Sequence, residues 1–215
     1  MQEFINISES VVSEEALVRY SNKHEEALVE RAKEDPHAFG ELFDKYYDPI
    51  LNYIVHRTAN TALSEELTSN TFFSALNNIH TFHWRNIPFS AWLYKIASNE
   101  INGFFRKNKN GFISSIEESH EFIEDELTLA DMEIKREEKE IAKNNLFQEL
   151  HRALVKIKPK YQEVIVLKYF EKKSISEISE ITGKAEGTIK SLLHRGLSQL
   201  KELIGTSFYG EVTNE

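Results

Sequence analysis

The chain has 215 residues and no cysteine. That absence excludes a disulfide framework, a thiol nucleophile and any Cys-based zinc site, and it fits a reducing cytosol. No apolar run approaches the roughly 18 residues needed to cross a bilayer, so no membrane insertion is expected. The opening "MQEFINISES" has neither the basic start nor the apolar centre of a secretion signal. A soluble, cytoplasmic protein is the expectation. No glycine-rich phosphate loop and no nucleophile elbow is present. His80 and His83 form an H-x-x-H pair, but no third ligand stands at a recognisable spacing. The sequence offers no catalytic residue, no metal ligand set, and no reason to expect an enzyme, a cofactor or a small-molecule substrate.

What the chain has in excess is acid, unevenly spread. The net charge is −9, which alone argues against a nucleic-acid binder. Its distribution reverses that view. Residues 1–27 carry −4, residues 28–108 carry −1 and residues 109–144 carry −6, whereas residues 145–205 carry +4. The last ten carry −2. Such asymmetry assigns separate jobs to separate segments.

Apolar spacing predicts two helical blocks joined by a linker. From Ala27 to Lys107, "AFGELFDKYYDPILNYIV", "LSEELTSNTFFSALNNI" and "FSAWLYKIASNEINGFF" step by three and four. Pro36 and Pro88 fall at predicted helix starts, and Ser64 can cap the third helix, with Leu67, Phe72 and Leu76 on its apolar side. Residues 109–130 are acidic and weakly periodic, a linker that could fold back to mask a DNA-reading face or act as a plain tether. Helical signal resumes near Asp131 and ends at Pro159. "YQEVIVLKYF" would suit a buried strand, but no partner strand is evident, and it is read as helix. The segments are therefore an acidic extension over 1–27, a helical domain over 28–108, an acidic linker over 109–144, a second helical domain over 145–205 and a tail. The expected class is all-α with two domains.

"GKAEGTIKSLLHRG" holds the sharpest functional signal. Ser174 and Glu177 match a capping box ahead of Ile178 and Ile181, and Gly183 ends that helix. At about 100° per residue, Leu193, Gly196, Leu197, Leu200, Leu203 and Ile204 share a side with Ile189. Ser191 falls nearly opposite, flanked by Thr188, Lys190, His194 and Arg195. A helix-turn-helix offers such a small, polar, cationic face near the start of its second helix to base edges and phosphates. An ordinary helical hairpin with a solvated face fits the same pattern.

Over residues 145–204 the chain resembles region 4 of bacterial RNA polymerase sigma factors, the extracytoplasmic-function (ECF) group above all. Over residues 24–108 it resembles their region 2, in the family's order. The resemblance implies several roles. Glu65, Glu66, Ser69, Asn70 and Phe73 would dock on the β′ clamp of core polymerase. Trp84, Arg85, Lys95, Asn99, Arg106 and Lys107 would read the melted −10 element, where rings stack on bases and cations follow phosphates. Glu186, Thr188, Lys190, Ser191, His194 and Arg195 would read the −35 duplex beside the β flap. It also implies an anti-sigma partner in many relatives and a linker threaded through polymerase channels. The chain departs from the common pattern at Ser69-Asn70, Gly103, Ala185 and Leu192. At Gly196 a glycine replaces alanine, at a helix cost of about 1 kcal/mol. The rival readings are a conventional helix-turn-helix regulator and a sigma-fold interaction protein without promoter activity. Transcription with core polymerase separates them.

Overall fold

The computed structural model describes residues 14–84, 87–108 and 150–211, with side chains described over 23–84, 87–108 and 150–204. Every regular element among them is helical. The acidic linker at 109–144 lies outside the described residues. The first unit comprises α1 (Glu14–Ala32), α2 (Pro36–Thr58), α3 (Thr61–Asn78), a 3-10 turn at Ile79–Thr81, and α4 (Phe89–Lys107). The second comprises α5 (150–156), α6 (Pro159–Ile165) continued by a π segment at Val166–Phe170, α7 (Ile175–Thr182) and α8 (Glu186–Glu211).

α2 is the central strut of the first unit, packed against α1, α3 and α4. Asp35 caps it by accepting from the His37 amide at 2.9 Å, with Pro36 in the first turn, where its missing N–H costs nothing. Its apolar stripe places Leu42, Ile50, Tyr53 and Ile54 in the core beside Leu67, Phe72, Leu93 and Ile101. α1 crosses the boundary expected at residue 27 because Leu28, Val29 and Ala32 complete this core, while Glu25 is held by Tyr46 and Lys45.

Three local expectations change. Asn60, not Ser64, caps α3: its side chain accepts from the Leu63 amide at 2.9 Å. Ser64 is buried one turn in, bonded to the Asn60 carbonyl and to the Thr58 hydroxyl. Leu76, expected on the apolar side of α3, is 43% exposed, and Ala75 and Ile79 fill the core instead. Leu197, expected on the buried stripe of α8, is 38% exposed.

The second unit packs α6, α7 and α8 around Val164, Ile165, Leu167, Ile178, Ile181, Ile189 and Leu200. "YQEVIVLKYF" is helical, and its last turn widens into the π segment. The Glu171 amide reaches the Val166 carbonyl at 3.0 Å, and the Lys173 amide reaches that of Leu167 at 2.9 Å. π turns are commonly single-turn features at functional places. Here the turn brings Phe170 back against α2 and α5.

Candidate functional site

The helix-turn-helix forms as its sequence dictates. Ser174 Oγ accepts from the Glu177 amide at 3.1 Å, and the Glu177 carboxylate accepts from the Ser174 amide at 2.8 Å, closing the capping box. Gly183 ends α7 with φ of 67°, a left-handed conformation that glycine adopts without a Cβ penalty. The Ser179 hydroxyl donates to the Lys184 carbonyl at 2.6 Å and ties down the turn. Ile189 and Leu193 enter the core, so the opposite side of α8 faces solvent. Glu186, Thr188, Lys190, Ser191, His194 and Arg195 are all exposed there. Glu186 sits in the first turn, where a carboxylate complements the helix dipole. The Ser191 hydroxyl donates to the Gly187 carbonyl at 3.0 Å, which leaves its oxygen able to accept.

Two departures on this helix have packing reasons. Leu192 is 8% exposed and packs in the core. At Gly196, a Cβ would stand 2.9 Å from Ile165 Cδ1 and 3.0 Å from Tyr161 Cβ. The glycine lets α8 approach α6 closely, so its cost in helix propensity is offset by a contact that alanine would crowd.

In the first unit, Glu65, Glu66, Ser69, Asn70 and Phe73 share the solvent side of α3, while Leu63, Leu67 and Phe72 bury the other. Phe73 is 67% exposed, an apolar centre flanked by acid and amide. Lys95 and Asn99, one turn apart on α4, are exposed, as are Arg106 and Lys107 at its end. Most of the nearby aromatics belong to the core. Phe82 and Phe89 are buried edge to face with centroids 5.4 Å apart, and Trp92 packs on both. Trp84 is half-buried, set edge-on to Phe82 with centroids 6.2 Å apart. Arg85 lies outside the described residues. α3 and α4 pack on each other in the first unit, while α8 belongs to the second.

Sequence reasoning missed a polar seam between the two units. Arg57 of α2, 1% exposed, donates from Nε to the Gln162 side chain at 3.0 Å, and Gln162 donates back to the Arg57 carbonyl at 2.9 Å. Arg57 also donates to the Tyr53 hydroxyl at 2.7 Å, which shares a bond with Ser98. The Tyr94 hydroxyl donates to Glu171 at 2.6 Å across the same seam. Burial pushes the Glu171 carboxyl up, against smaller opposing effects of the Tyr94 bond and Lys173. Burial and then Glu171 push the Tyr94 hydroxyl above its usual range. His56 meets His151 at 2.6 Å; burial, and secondarily the charge His151 would carry, lowers His56 to about 4. Partners such as Arg57 and Gln162 lie 105 positions apart, so no local pattern announces them.

Known proteins give this geometry a context. The sigma-70 region 2 family matches residues 42–111, and sigma-70 region 4 matches residues 147–200. The ECF RNA polymerase sigma factor BldN of Streptomyces coelicolor is 31% identical over 183 residues, covering 82% of this chain and 64% of BldN. This chain thus spans under two thirds of that relative. The ECF RNA polymerase sigma factor SigW of Bacillus subtilis is 31% identical over 178 residues, covering 79% of this chain and 90% of SigW. Two solved structures share the fold. CnrH, in complex with the cytosolic domain of CnrY, aligns with a TM-score of 0.60 at 18% identity, over 85% of this chain and 97% of that one. The sigma factor RpoE of Bartonella quintana, in complex with the anti-sigma factor NepR, aligns at 0.56 and 20% identity, over 78% and 96%.

Proposed function

The chain belongs to the ECF sigma factors of bacterial RNA polymerase, and from that premise we propose how its surfaces divide the work of promoter-directed initiation. The chain binds core polymerase and lends it promoter choice; the polymerase does the chemistry, and the chain acts in the cytoplasm as a regulatory subunit without catalytic residues. No helix among the described residues is long and apolar enough to cross a membrane.

Glu65, Glu66, Ser69, Asn70 and Phe73 dock on the β′ clamp. A single exposed aromatic ringed by polar groups is the composition of an interface anchor with its rim. Lys95, Asn99, Arg106 and Lys107, with Trp84 and Arg85 just before α4 in the sequence, hold the melted −10 strand. Lys and Arg neutralise phosphates, and a half-buried ring offers a stacking face. Thr188, Lys190, Ser191, His194 and Arg195 enter the major groove of the −35 duplex, with Glu186 at the helix start able to accept from a cytosine amino group. The domain limits follow the same division, region 2 over 28–108 and region 4 over 145–205, the latter also touching the β flap. An anti-sigma partner would act by covering one of these faces.

The observation that carries this reading is the pairing, in one chain, of an exposed acidic-apolar face on α3 with an exposed polar-cationic face on α8. A conventional helix-turn-helix regulator has no use for the first. The test is reconstituted transcription. With core polymerase, this chain should support open-complex formation and a defined transcript start on its own promoter, recovered by run-off mapping of genomic fragments. Duplex binding with no polymerase-dependent transcript would return the chain to the conventional regulators.

A further inference from the structure

Among the side-chain pairs across the seam, one is a pair of histidines that none of these roles uses. His56, near the end of α2, faces His151 of α5, Nδ1 to Nε2 at 2.6 Å. Both rings also lie against Phe170, at 4.3 and 5.6 Å between centroids. The pair joins the two units directly, because α2 belongs to the first and both α5 and Phe170 to the second. A bond between two imidazoles requires one donor and one acceptor. One added proton can preserve an N–H···N contact, but it places a charge in a seam built of rings. A second sets two donors and two like charges face to face. We propose that His56 and His151 form a proton-operated catch, which holds the two helical units together when neutral and releases them when protonated.

Burial supports the sign. In the seam His56 is lowered to about 4, whereas in water a histidine returns to roughly 6.5. The closed form therefore binds fewer protons than the open form. Closure is favoured above about 6.5 and loses ground as pH falls from there towards 4. Among the described residues, Arg57 follows His56 on α2 and is turned to Gln162 and Tyr53, Arg152 follows His151 on α5, and Lys168 donates to the Lys173 carbonyl. Asp48 and Glu171 line a cleft at the seam together with His56 and Phe170, and their carboxylates favour an imidazolium. Glu171 also titrates in the contrary sense. Its carboxyl is raised by burial, so acid relieves Glu171 while it penalises His56.

Opening has a use that rests on the function proposed above. Elements centred at −10 and −35 lie about 85 Å apart at 3.4 Å per base pair. In the closed form α4 touches α7, and α7 touches α8; each such step spans about 8–10 Å between axes. The units must part for both elements to be read at once.

The test needs neither polymerase nor DNA. The chain has no native cysteine, so spin labels at the exposed positions Ala62→Cys and Ser198→Cys report one distance between α3 and α8 in the full chain. At pH 8 a single short distance is expected. Below pH 6.5 a longer one should grow, its ratio to the short one changing by up to about tenfold per pH unit, with helical circular dichroism unchanged. Glu171→Gln should steepen the change. The double variant His56→Gln/His151→Gln can keep one hydrogen bond but cannot titrate, and its distances should hold constant. His151→Arg places a permanent charge in the seam and should give the longer distance already at pH 8. The catch is refuted if the wild-type distance is constant from pH 8 to 5, if it lengthens only as helicity is lost, if the double glutamine variant follows the wild-type titration, or if His151→Arg stays closed. Should the double variant be open throughout, the wild-type titration and His151→Arg still decide.

Discussion

Gly196 shows how one missing methyl sets the distance between two helices. Alanine there would gain about 1 kcal/mol of helix propensity. Its Cβ would press on Ile165 Cδ1, which can rotate away, and on Tyr161 Cβ, which is fixed to the α6 backbone. Overpacking of this kind costs about 1–3 kcal/mol. Gly196→Ala should therefore lower the thermal midpoint, and a raised midpoint would show that α6 yields without strain. Lys190 and Arg195 test the proposed DNA face one charge at a time. Each phosphate contact releases counterions, so Lys190→Ala or Arg195→Ala should weaken −35 duplex binding and reduce its logarithmic salt slope by about 1. Core-polymerase affinity should not change. A salt titration in which both variants keep the wild-type slope would remove these residues from the interface.

At the scale of the element, α3 separates its two jobs cleanly. Leu63, Leu67, Phe72 and Ala75 hold it in the first unit, and the buried Thr68 and Thr71 are satisfied by donating to the Ser64 and Leu67 carbonyls at 2.7 Å each. Glu65, Glu66, Asn70 and Phe73 leave the other side open to solvent. Glu66→Lys reverses a charge there without disturbing the core. It should leave the circular dichroism spectrum unchanged and weaken core-polymerase binding at least several-fold. Equal affinity in a pull-down titration would move the clamp contact to another face. The π segment is the second informative element. Its wide turn aims Phe170 at the histidine pair and leaves Tyr169 54% exposed.

At the scale of the whole molecule, the seam adds side-chain hydrogen bonds to the apolar packing that runs through both units. Its bonds are strong while water is excluded and replaceable once water enters. That combination suits an interface that must open. Gln162→Leu leaves the Arg57 Nε and carbonyl without their partners at 3.0 and 2.9 Å. Unsatisfied buried groups cost about 1–3 kcal/mol each, and solvent can relieve them if the units part. At neutral pH, this variant should show a larger radius of gyration in small-angle scattering with its helical content intact. An unchanged radius would mean that apolar contacts, not the Arg57–Gln162 exchange, hold the units together.

Periodicity and capping are local properties, and the sequence alone determined whatever they govern. Ser174, Glu177 and Gly183 specify the start and stop of α7 within ten residues. The spacing of Ile189, Leu193 and Leu200 specifies which side of α8 is buried, and thus which side is left to solvent. The same logic made the α3 face legible. It failed at Leu76 and Leu197, where a residue at the edge of a stripe turns inward or outward according to what the neighbouring helix offers. It also misjudged Gly196, because the reason for that glycine is Tyr161 and Ile165 on another helix. The seam was beyond any local reading. Arg57, His56 and Tyr94 look like ordinary surface residues until α6, the π segment and α5 arrive from the far end of the chain. Burial, desolvation and shared protons arise only where two distant segments exclude water from each other, and the tertiary structure alone decides which segments do.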